Sequence, residues 1–182
     1  MHGLTELLTS GAHLDGKDGP ALTAQGLTVT ADMYCRERFQ AAGTIDLSSA
    51  SIGAQLGFTG AHLDGKDVPA LTARELTVTA DMLCDEGFQA AGEINLAGAK
   101  IGALLDEKES WPPLLDLDGL TYRALTYLPA RDRIDWLNRS AGYSPQPYEQ
   151  LAAYYRQLGH RASPIVWTKV LSWAAEIGPG VR

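Results

Sequence analysis

The most constraining feature of this sequence is an internal repeat with a period of 49 residues. The segment that begins GAHLDGKD at Gly11 returns at Gly60, and the match continues to about Leu56 in the first copy and about Leu104 in the second. About three quarters of the aligned positions are identical. Self-similarity at a fixed period is typical of repeat architectures, so the chain is interpreted as a stack of similar units.

Within each copy, apolar residues occur in couples that lie two positions apart. A spacing of two places both side chains on one face of an extended strand. The steps between couples are five or six residues, which fits neither a helix nor a long strand. The pattern predicts short strands that turn a corner and keep the same face inward. The couples are Leu22/Ala24, Leu27/Val29, Met33/Cys35, Phe39/Ala41, Ile45/Leu47, Ala50/Ile52, Leu56/Phe58 and Ala61/Leu63, with equivalents from Leu71/Ala73 to Ala99/Ile101.

Eight couples fill one period, and a weaker match between residues 31–33 and 54–56 has an offset of 23. Each copy is therefore predicted to hold two coils with four sides each. We expect about five coils in all, and a rod on the order of 24 Å long at ~4.8 Å per coil. The longest step places a loop outside one corner, at residues 15–20 and again at 64–69.

These steps resemble those of pentapeptide-repeat proteins over about residues 4–125. The resemblance implies a mainly β fold, a right-handed four-sided β-helix, here followed by a C-terminal α-helical cap. The long period and the later segment PQPYEQLAAYYR are similar to long-repeat actinobacterial proteins that are often labelled membrane-associated oxidoreductases. The segments that carry the pentapeptide resemblance are Ala31-Asp32-Met33, Ile45-Asp46-Leu47, Ala80-Asp81-Met82, Ile94-Asn95-Leu96 and Leu115-Asp116-Leu117.

Composition changes after residue 110, where all four tryptophans lie, and charge changes after about residue 122. Residues 1–122 hold 18 acidic and 7 basic residues, net −11, and residues 123–182 hold 4 and 8, net +4, which sum to the chain's −7. We expect a β-helix domain over 1–125 and a helical segment over 126–182. Its helices are predicted over about 129–137, from near Pro147 to Gly159, and from Ser163 to about Ile177.

The third predicted helix has Lys169 and Glu176 as its only charged residues. At about 1.5 Å per residue it is too short to cross a bilayer. One interpretation is that it caps the last coil and covers the open backbone edge. The alternative is a homodimer interface or contact with a membrane surface, because the apolar stripe is broad. The contact residues in either case are Trp167, Val170, Leu171, Trp173 and Ile177.

Cys35 and Cys84 occupy equivalent inward positions two coils apart. This places them roughly 10 Å apart along the rod, and a disulfide needs Cα atoms within about 7 Å. Both are predicted to be free buried thiols, which suits a cytoplasmic location, with membrane association as the alternative. The acidic balance argues against direct nucleic acid binding.

The candidate catalytic residues are His13 and Asp15, with their copies His62 and Asp64. Each histidine is expected to point outward beside an Asp-Gly-Lys-Asp loop, where imidazole, carboxylates and an amine come together. The competing interpretation is that these groups are solvated. No metal site is predicted, because the two copies lie two coils apart. No cofactor is predicted either, because no phosphate-binding glycine loop or dinucleotide fingerprint is present.

Outward acidic residues suggest a protein-binding surface. Some pentapeptide-repeat proteins are similar to duplex DNA in shape and charge and bind type II topoisomerases, so the resemblance implies a DNA-mimicking modulator of DNA gyrase as one alternative. An enzyme with a site on the corner loops is the second. We predict a non-catalytic binding or scaffold module for a protein partner that the sequence does not identify. The acidic residues are Asp32, Asp46, Asp81, Asp85, Glu86 and Glu93.

Overall fold

The computed structural model describes residues 4–17, 19–140, 142 and 144–158. In this part of the chain a parallel β-solenoid of about five coils is followed by two α-helices. The predicted mainly β, four-sided fold is confirmed. Most strands are two or three residues long, because the chain turns a corner after each couple of inward side chains.

The first two coils are each built from four short strands. Each strand of coil 2 contains one member of a predicted apolar couple. The strands of coil 1 are β1 (Leu7–Leu8), β2 (His13–Asp15), β3 (Leu22–Thr23) and β4 (Thr28–Val29). Those of coil 2 are β5 (Met33–Tyr34), β6 (Gln40–Ala42), β7 (Ile45–Asp46) and β8 (Ser51–Ile52).

The later coils contain strands that pass through a corner without interruption. Because β12, β15 and β17 each continue through such a corner, the four sides hydrogen-bond as three sheets of eight, four and five strands. The strands are β9 (Leu56–Gly57), β10 (His62–Asp64), β11 (Leu71–Thr72), β12 (Thr77–Cys84), β13 (Gln89–Ala91), β14 (Ile94–Asn95), β15 (Lys100–Asp106), β16 (Leu115–Asp116) and β17 (Thr121–Leu125).

Successive coils pair in parallel with matching residues above one another. Met33 pairs with Leu56, and Leu56 pairs with Met82. Two coils therefore span the 49 residues from Met33 to Met82, as the repeat predicted.

Inward side chains fill the axis of the solenoid. Met33, Phe39, Ile45 and Leu56 are all fully buried, as their spacing predicted. Complete burial of such a side chain contributes about 1.5–3 kcal/mol. The stacked inward residues therefore supply most of the stabilisation of a rod whose strands are very short.

Both cysteines are free and buried in this core, as predicted. Thr9 donates a hydrogen bond from Oγ1 to Sγ of Cys35 at 3.1 Å. Burial outweighs that bond and raises the pKa of Cys35 to about 11. Burial also raises the pKa of Cys84, with Asp106 and Asp85 adding to the effect. Neither thiol ionises near neutral pH.

The fifth coil departs from the repeat on one side. A short 3-10 helix (Lys108–Ser110) packs against β13 where a further strand would otherwise stack. Asp106 pairs with Cys84 and turns inward at the position that the cysteine occupies one coil earlier. The side chain of Trp111 is buried beside it.

Two helices follow the solenoid. The first, α1, spans Ala130–Leu137, close to its predicted bounds, and the second, α2, spans Pro145–Gln157. The prediction placed the start of α2 near Pro147. The helix begins two residues earlier because Ser144 and Pro145 provide an N-cap position and a first helical residue.

The helix α2 covers the open edge of the last coil. Gln146, Gln150 and Tyr154 donate side-chain hydrogen bonds to the backbone carbonyls of residues 120, 122 and 125 at 3.0, 2.9 and 3.0 Å. The third predicted helix was assigned this capping role as one interpretation. In the described residues the role belongs to α2, because its polar side chains lie one helical turn apart along the exposed strand edge.

The predicted third helix lies outside the described residues, and so do its contact residues Trp167, Val170, Leu171, Trp173 and Ile177. Among the residues that are described, no helix combines the length and apolar character needed to cross a bilayer.

Candidate functional site

The corner loops project from the solenoid just after β2 and β10. In the second loop, the Asp64 carboxylate accepts a hydrogen bond from the backbone N–H of Lys66 at 3.0 Å, which closes a tight turn. A Cβ on Gly65 would lie only 2.3 Å from the carbonyl oxygen of Val68. Glycine at this position allows the loop to fold back closely on itself.

A notch separates the two corner loops. It has a volume of about 840 Å³, and the corner of coil 2 at residues 42–44, which has no inserted loop, lies between the loops. The notch exists because the loop is inserted only in alternate coils. Its charged and titratable lining residues are His13, Asp15, Lys17, Asp46, Lys66 and Asp67.

Two of the four predicted catalytic candidates line the notch. These are His13 and Asp15, whereas His62 and Asp64 lie outside its lining. Both histidines point outward and are exposed, as predicted. Each pairs with Gln40 in the intervening coil, so they stand two coils apart. Nδ1 of His13 lies 3.1 Å from Oε1 of Gln40.

The notch carries charges of both signs. Nζ of Lys17 lies 3.3 Å from the Asp15 carboxylate, and both side chains are well exposed. Partial burial acts to raise the pKa of Asp46, but hydrogen bonds from Ser48 and Gln25 outweigh it and hold that pKa below its ordinary value. Within the described residues, no group of three or more His, Cys, Asp or Glu side chains is placed to hold a metal ion. The arrangement suits hydrogen bonding to a small polar ligand.

The outward acidic residues fall on two different sides of the rod. Glu93 also borders a cavity of about 370 Å³ that Tyr148 of α2 helps to line. The six predicted acidic residues therefore do not lie on one face of the rod. Asp32, Asp81, Asp85 and Glu86 lie on or beside β5, β9 and the second half of β12, whereas Asp46 and Glu93 lie on the side of β7 and β14.

A row of mostly apolar residues runs along the outside of the first of these sides. Leu8 pairs with Tyr34, Tyr34 with Gly57, Gly57 with Leu83, and Leu83 with Leu105. We call this row of five residues the apolar ladder. Leu8 is 59% exposed, and Leu83 and Leu105 are partly exposed. Outward positions on a solvated sheet face are usually polar, so this row is unusual.

Tyr34 fixes the first half of the ladder. Its ring lies over Gly57, where a Cβ would be 2.7 Å from a ring carbon. Its hydroxyl donates to Oε1 of Gln55 at 2.8 Å, and the guanidinium carbon of Arg36 lies 3.9 Å from the ring centre. Partial burial and the nearby Asp32 carboxylate raise the pKa of Tyr34. The tyrosine therefore stays neutral and held in place.

Acidic side chains flank the second half of the ladder. Gln55 donates to Asp81 at 3.2 Å on one flank, and Thr59 donates to Asp85 at 2.8 Å on the other. Glu107 is exposed in the coil that follows. We define the acidic–apolar patch as Leu83 and Leu105 together with Asp81, Asp85, Glu86 and Glu107.

Sequence divergence between the two copies produces this patch. The first copy has Arg36-Glu37-Arg38 at the corner where the second has Asp85-Glu86-Gly87. Two cations are thus replaced by a carboxylate and a glycine. In the first half Asp32 and Arg36 lie near Tyr34, whereas in the second half carboxylates lie on both flanks of Leu83.

The sequence interpretation missed Leu83 and Leu105. Each follows an inward residue, Met82 or Leu104, and the alternation of a strand places such a residue outside. An apolar residue at a position of this type was the available signal. The first copy has Tyr34 at the position of Leu83.

Comparisons of this chain with models of protein families, with curated proteins and with solved structures found no match.

Proposed function

We propose that this protein is a non-catalytic binding module, similar to pentapeptide-repeat proteins, whose acidic–apolar patch binds a positively charged and partly apolar segment of a protein partner. The observation that carries the proposal is the adjacency of Leu83 and Leu105, which pair across β12 and β15 and stay partly exposed between acidic side chains.

The two leucines supply the apolar part of the binding energy. Removing an apolar side chain from water contributes about 25 cal/mol per Å² of buried area. The side chains stand on neighbouring strands, and neighbouring strands lie about 4.8 Å apart. A partner segment with apolar side chains at a comparable spacing covers both leucines at once.

The carboxylates around the leucines select the charge of the partner. Asp81 and Asp85 stand on opposite flanks of Leu83, so Lys or Arg residues on either edge of a bound segment meet an opposite charge. Electrostatic complementarity of this kind contributes mainly to specificity and to the rate of association. An acidic segment of the same shape is repelled.

The patch is held in place before any partner arrives. Its strands stack on a solid core, and Asp81 and Asp85 already accept hydrogen bonds from Gln55 and Thr59. Binding therefore has little side-chain ordering cost at these two carboxylates, and preorganisation of this kind increases affinity.

Exposed leucines favour a protein segment over the action of a DNA mimic. The charged surface of duplex DNA is a regular array of phosphates, about one charge per 1.7 Å. The patch instead alternates apolar and acidic side chains, and the predicted acidic residues Asp46 and Glu93 lie on another side of the rod. The gyrase-modulating alternative stays a prediction, for which a supercoiling assay is the test.

A second candidate function is the binding of a small polar ligand in the notch. It is favoured by the presence of His13 and Asp15 in a concave, charged surface between the two loops. Saturation-transfer NMR with a library of small polar compounds tests it, with His13→Ala as the variant and His62→Ala as the matched control outside the notch. Ligands that bind there lose their signal in the first variant only.

The proposed function is tested with two labelled synthetic peptides. One alternates Lys with Leu, and the other has Glu in place of every Lys. Fluorescence anisotropy is expected to show salt-sensitive binding of the Lys peptide alone. Replacing both patch leucines, Leu83→Ser with Leu105→Ser, is expected to weaken it at least tenfold, about 1.4 kcal/mol.

The matched control replaces two exposed apolar residues elsewhere, Val68→Ser with Leu114→Ser, which are 49% and 38% exposed. This pair leaves the affinity for the Lys peptide unchanged if the patch is the site. Equal binding of the Glu peptide, or equal weakening by both pairs of substitutions, contradicts the proposal.

A further inference from the structure

The described chain ends on the side of the rod that carries the apolar ladder. Near the end of α2, Tyr154 donates to the carbonyl of Leu125 at 3.0 Å. The next residue along the coil, Thr126, donates its backbone N–H to the carbonyl of Leu104, directly beside the ladder residue Leu105. Leu158, the last described residue, is 47% exposed. The polypeptide therefore leaves the cap next to the acidic–apolar patch.

The chemistry of residues 159–182 complements that patch. The segment has Arg161, Lys169 and Arg182 against Glu176, a net charge of +2 with histidine neutral. Its large apolar residues are Ile165, Val166, Trp167, Val170, Leu171, Trp173, Ile177 and Val181. Basic and apolar residues in one short segment are the combination that the patch selects.

The length of the segment is sufficient. The five ladder residues lie in successive coils and span about 19 Å at ~4.8 Å per coil. Twenty-four residues reach about 36 Å at the rise of a helix, and further when extended. Residues 159–182 can therefore reach every rung of the ladder from Leu158.

Part of the open edge of the last coil already has a cover among the described residues. Side chains of α2 already bond to three carbonyls of the last coil, as described above. The ladder, in contrast, keeps partly exposed leucines among the described residues.

We infer that residues 159–182 bind along the apolar ladder of their own chain, with apolar side chains on Leu83 and Leu105 and basic side chains against Asp81 and Asp85. This inference rests on the proposed function, because the segment occupies the same patch as the partner. A partner must then displace it, which lowers the apparent affinity of the full chain.

Carbodiimide cross-linking of the full chain tests the inference, because it joins an amine to a carboxylate only where they touch. Lys169 is the only lysine of the segment. Mass spectrometry is expected to find Lys169 joined to Asp81, Asp85, Glu86 or Glu107. Mixing unlabelled and ¹⁵N-labelled chains shows whether the link lies within one chain.

The Leu83→Ser, Leu105→Ser variant is expected to lower the yield of these links about tenfold, whereas the Val68→Ser, Leu114→Ser control keeps it. Links of Lys169 to other carboxylates, links between two chains, or no link overturn the inference. The inference is also overturned if residues 159–182 bind to added lipid vesicles and this binding causes no change at the acidic–apolar patch.

The two proposals fail in different ways. If the links form but the Lys peptide does not bind even to a Lys169→Glu variant, in which the segment is repelled, the proposed function is wrong and the intramolecular contact stands. If the peptide binds and the links are absent, only the intramolecular contact is wrong.

Discussion

Arg133 of α1 forms a bidentate salt bridge with Asp106 of β15 inside the closed end of the solenoid. Nη1 and Nη2 of Arg133 donate to Oδ2 and Oδ1 of Asp106 at 2.6 and 2.8 Å. The two side chains are 1% and 0% exposed. Trp111 donates to the same carboxylate at 2.7 Å. These bonds attach the helical cap to the fifth coil.

Removing one partner of this salt bridge is predicted to lower the free energy of unfolding. Asp106→Ala leaves an arginine buried without its counter-charge, which typically costs about 3–5 kcal/mol. Urea unfolding followed by circular dichroism measures the change. A loss below about 1 kcal/mol, the usual value of an exposed pair, contradicts the assigned role.

Replacing both partners by apolar residues is predicted to restore most of that loss. Asp106→Leu with Arg133→Met removes both charges, and such replacements are often neutral or stabilising. A deficit of about 1 kcal/mol remains because Trp111 loses its acceptor. If the double variant is as unstable as Asp106→Ala, the unpaired buried charge of Arg133 is not the cause of the lost stability.

The sequence predicts the position of a residue in the fold where that residue follows the repeat, and fails where it does not. Met33 and Ile45 were recognised as core residues because a spacing of two and a period of 49 both place them inward. Asp106 was not, since an acidic residue after two leucines resembles an ordinary surface position. It turns inward because the fifth coil replaces a strand with a 3-10 helix, and its counter-charge Arg133 lies 27 residues further along the chain.

The candidate site likewise has features that the sequence predicts and features that it does not. The corner loops and the outward histidines follow from local pattern, and the structure places them as predicted. The apolar ladder is a relationship across coils, between Leu8, Tyr34, Leu83 and Leu105. It becomes visible only once the register of each coil on the next is known, because each member follows an inward apolar residue in the sequence and lies more than 20 residues from the next member.

The buried thiols predict a loss of stability at alkaline pH. The pKa of Cys35 is raised to about 11 in the folded state, against about 8.5 for an exposed thiol. The folded chain therefore binds the proton more tightly than the unfolded chain. Stability from this group is complete below about pH 8.5 and falls as the pH rises towards 11.

The measurement is the free energy of unfolding between pH 8 and 10.5, for the native chain and for Cys35→Ala with Cys84→Ala. The variant is expected to be less stable at pH 8 but to lose less stability as the pH rises. Equal slopes contradict the prediction. Ellman's reagent is expected to leave both thiols of the folded native chain unmodified.

Glycine is predicted to be required at Gly53 but not at Gly19. A Cβ on Gly53 would lie 2.1 Å from the carbonyl oxygen of Thr30 in the coil below, whereas a Cβ on Gly19 meets nothing within 4 Å. Overpacking of this kind costs about 1–3 kcal/mol. Thermal unfolding is expected to show a clear loss for Gly53→Ala and almost none for Gly19→Val, since the second copy has Val68 at the equivalent position. Similar losses for both contradict the assigned close contact.

The proposed binding function is tested most directly by an NMR titration of the ¹⁵N-labelled full chain with the Lys peptide. The largest changes in backbone amide shifts are expected on residues 81–86 and 103–107, the two segments that carry the acidic–apolar patch. Shift changes confined to the notch at residues 42–44, 46 and 65–68, or no change at saturating peptide, contradict it.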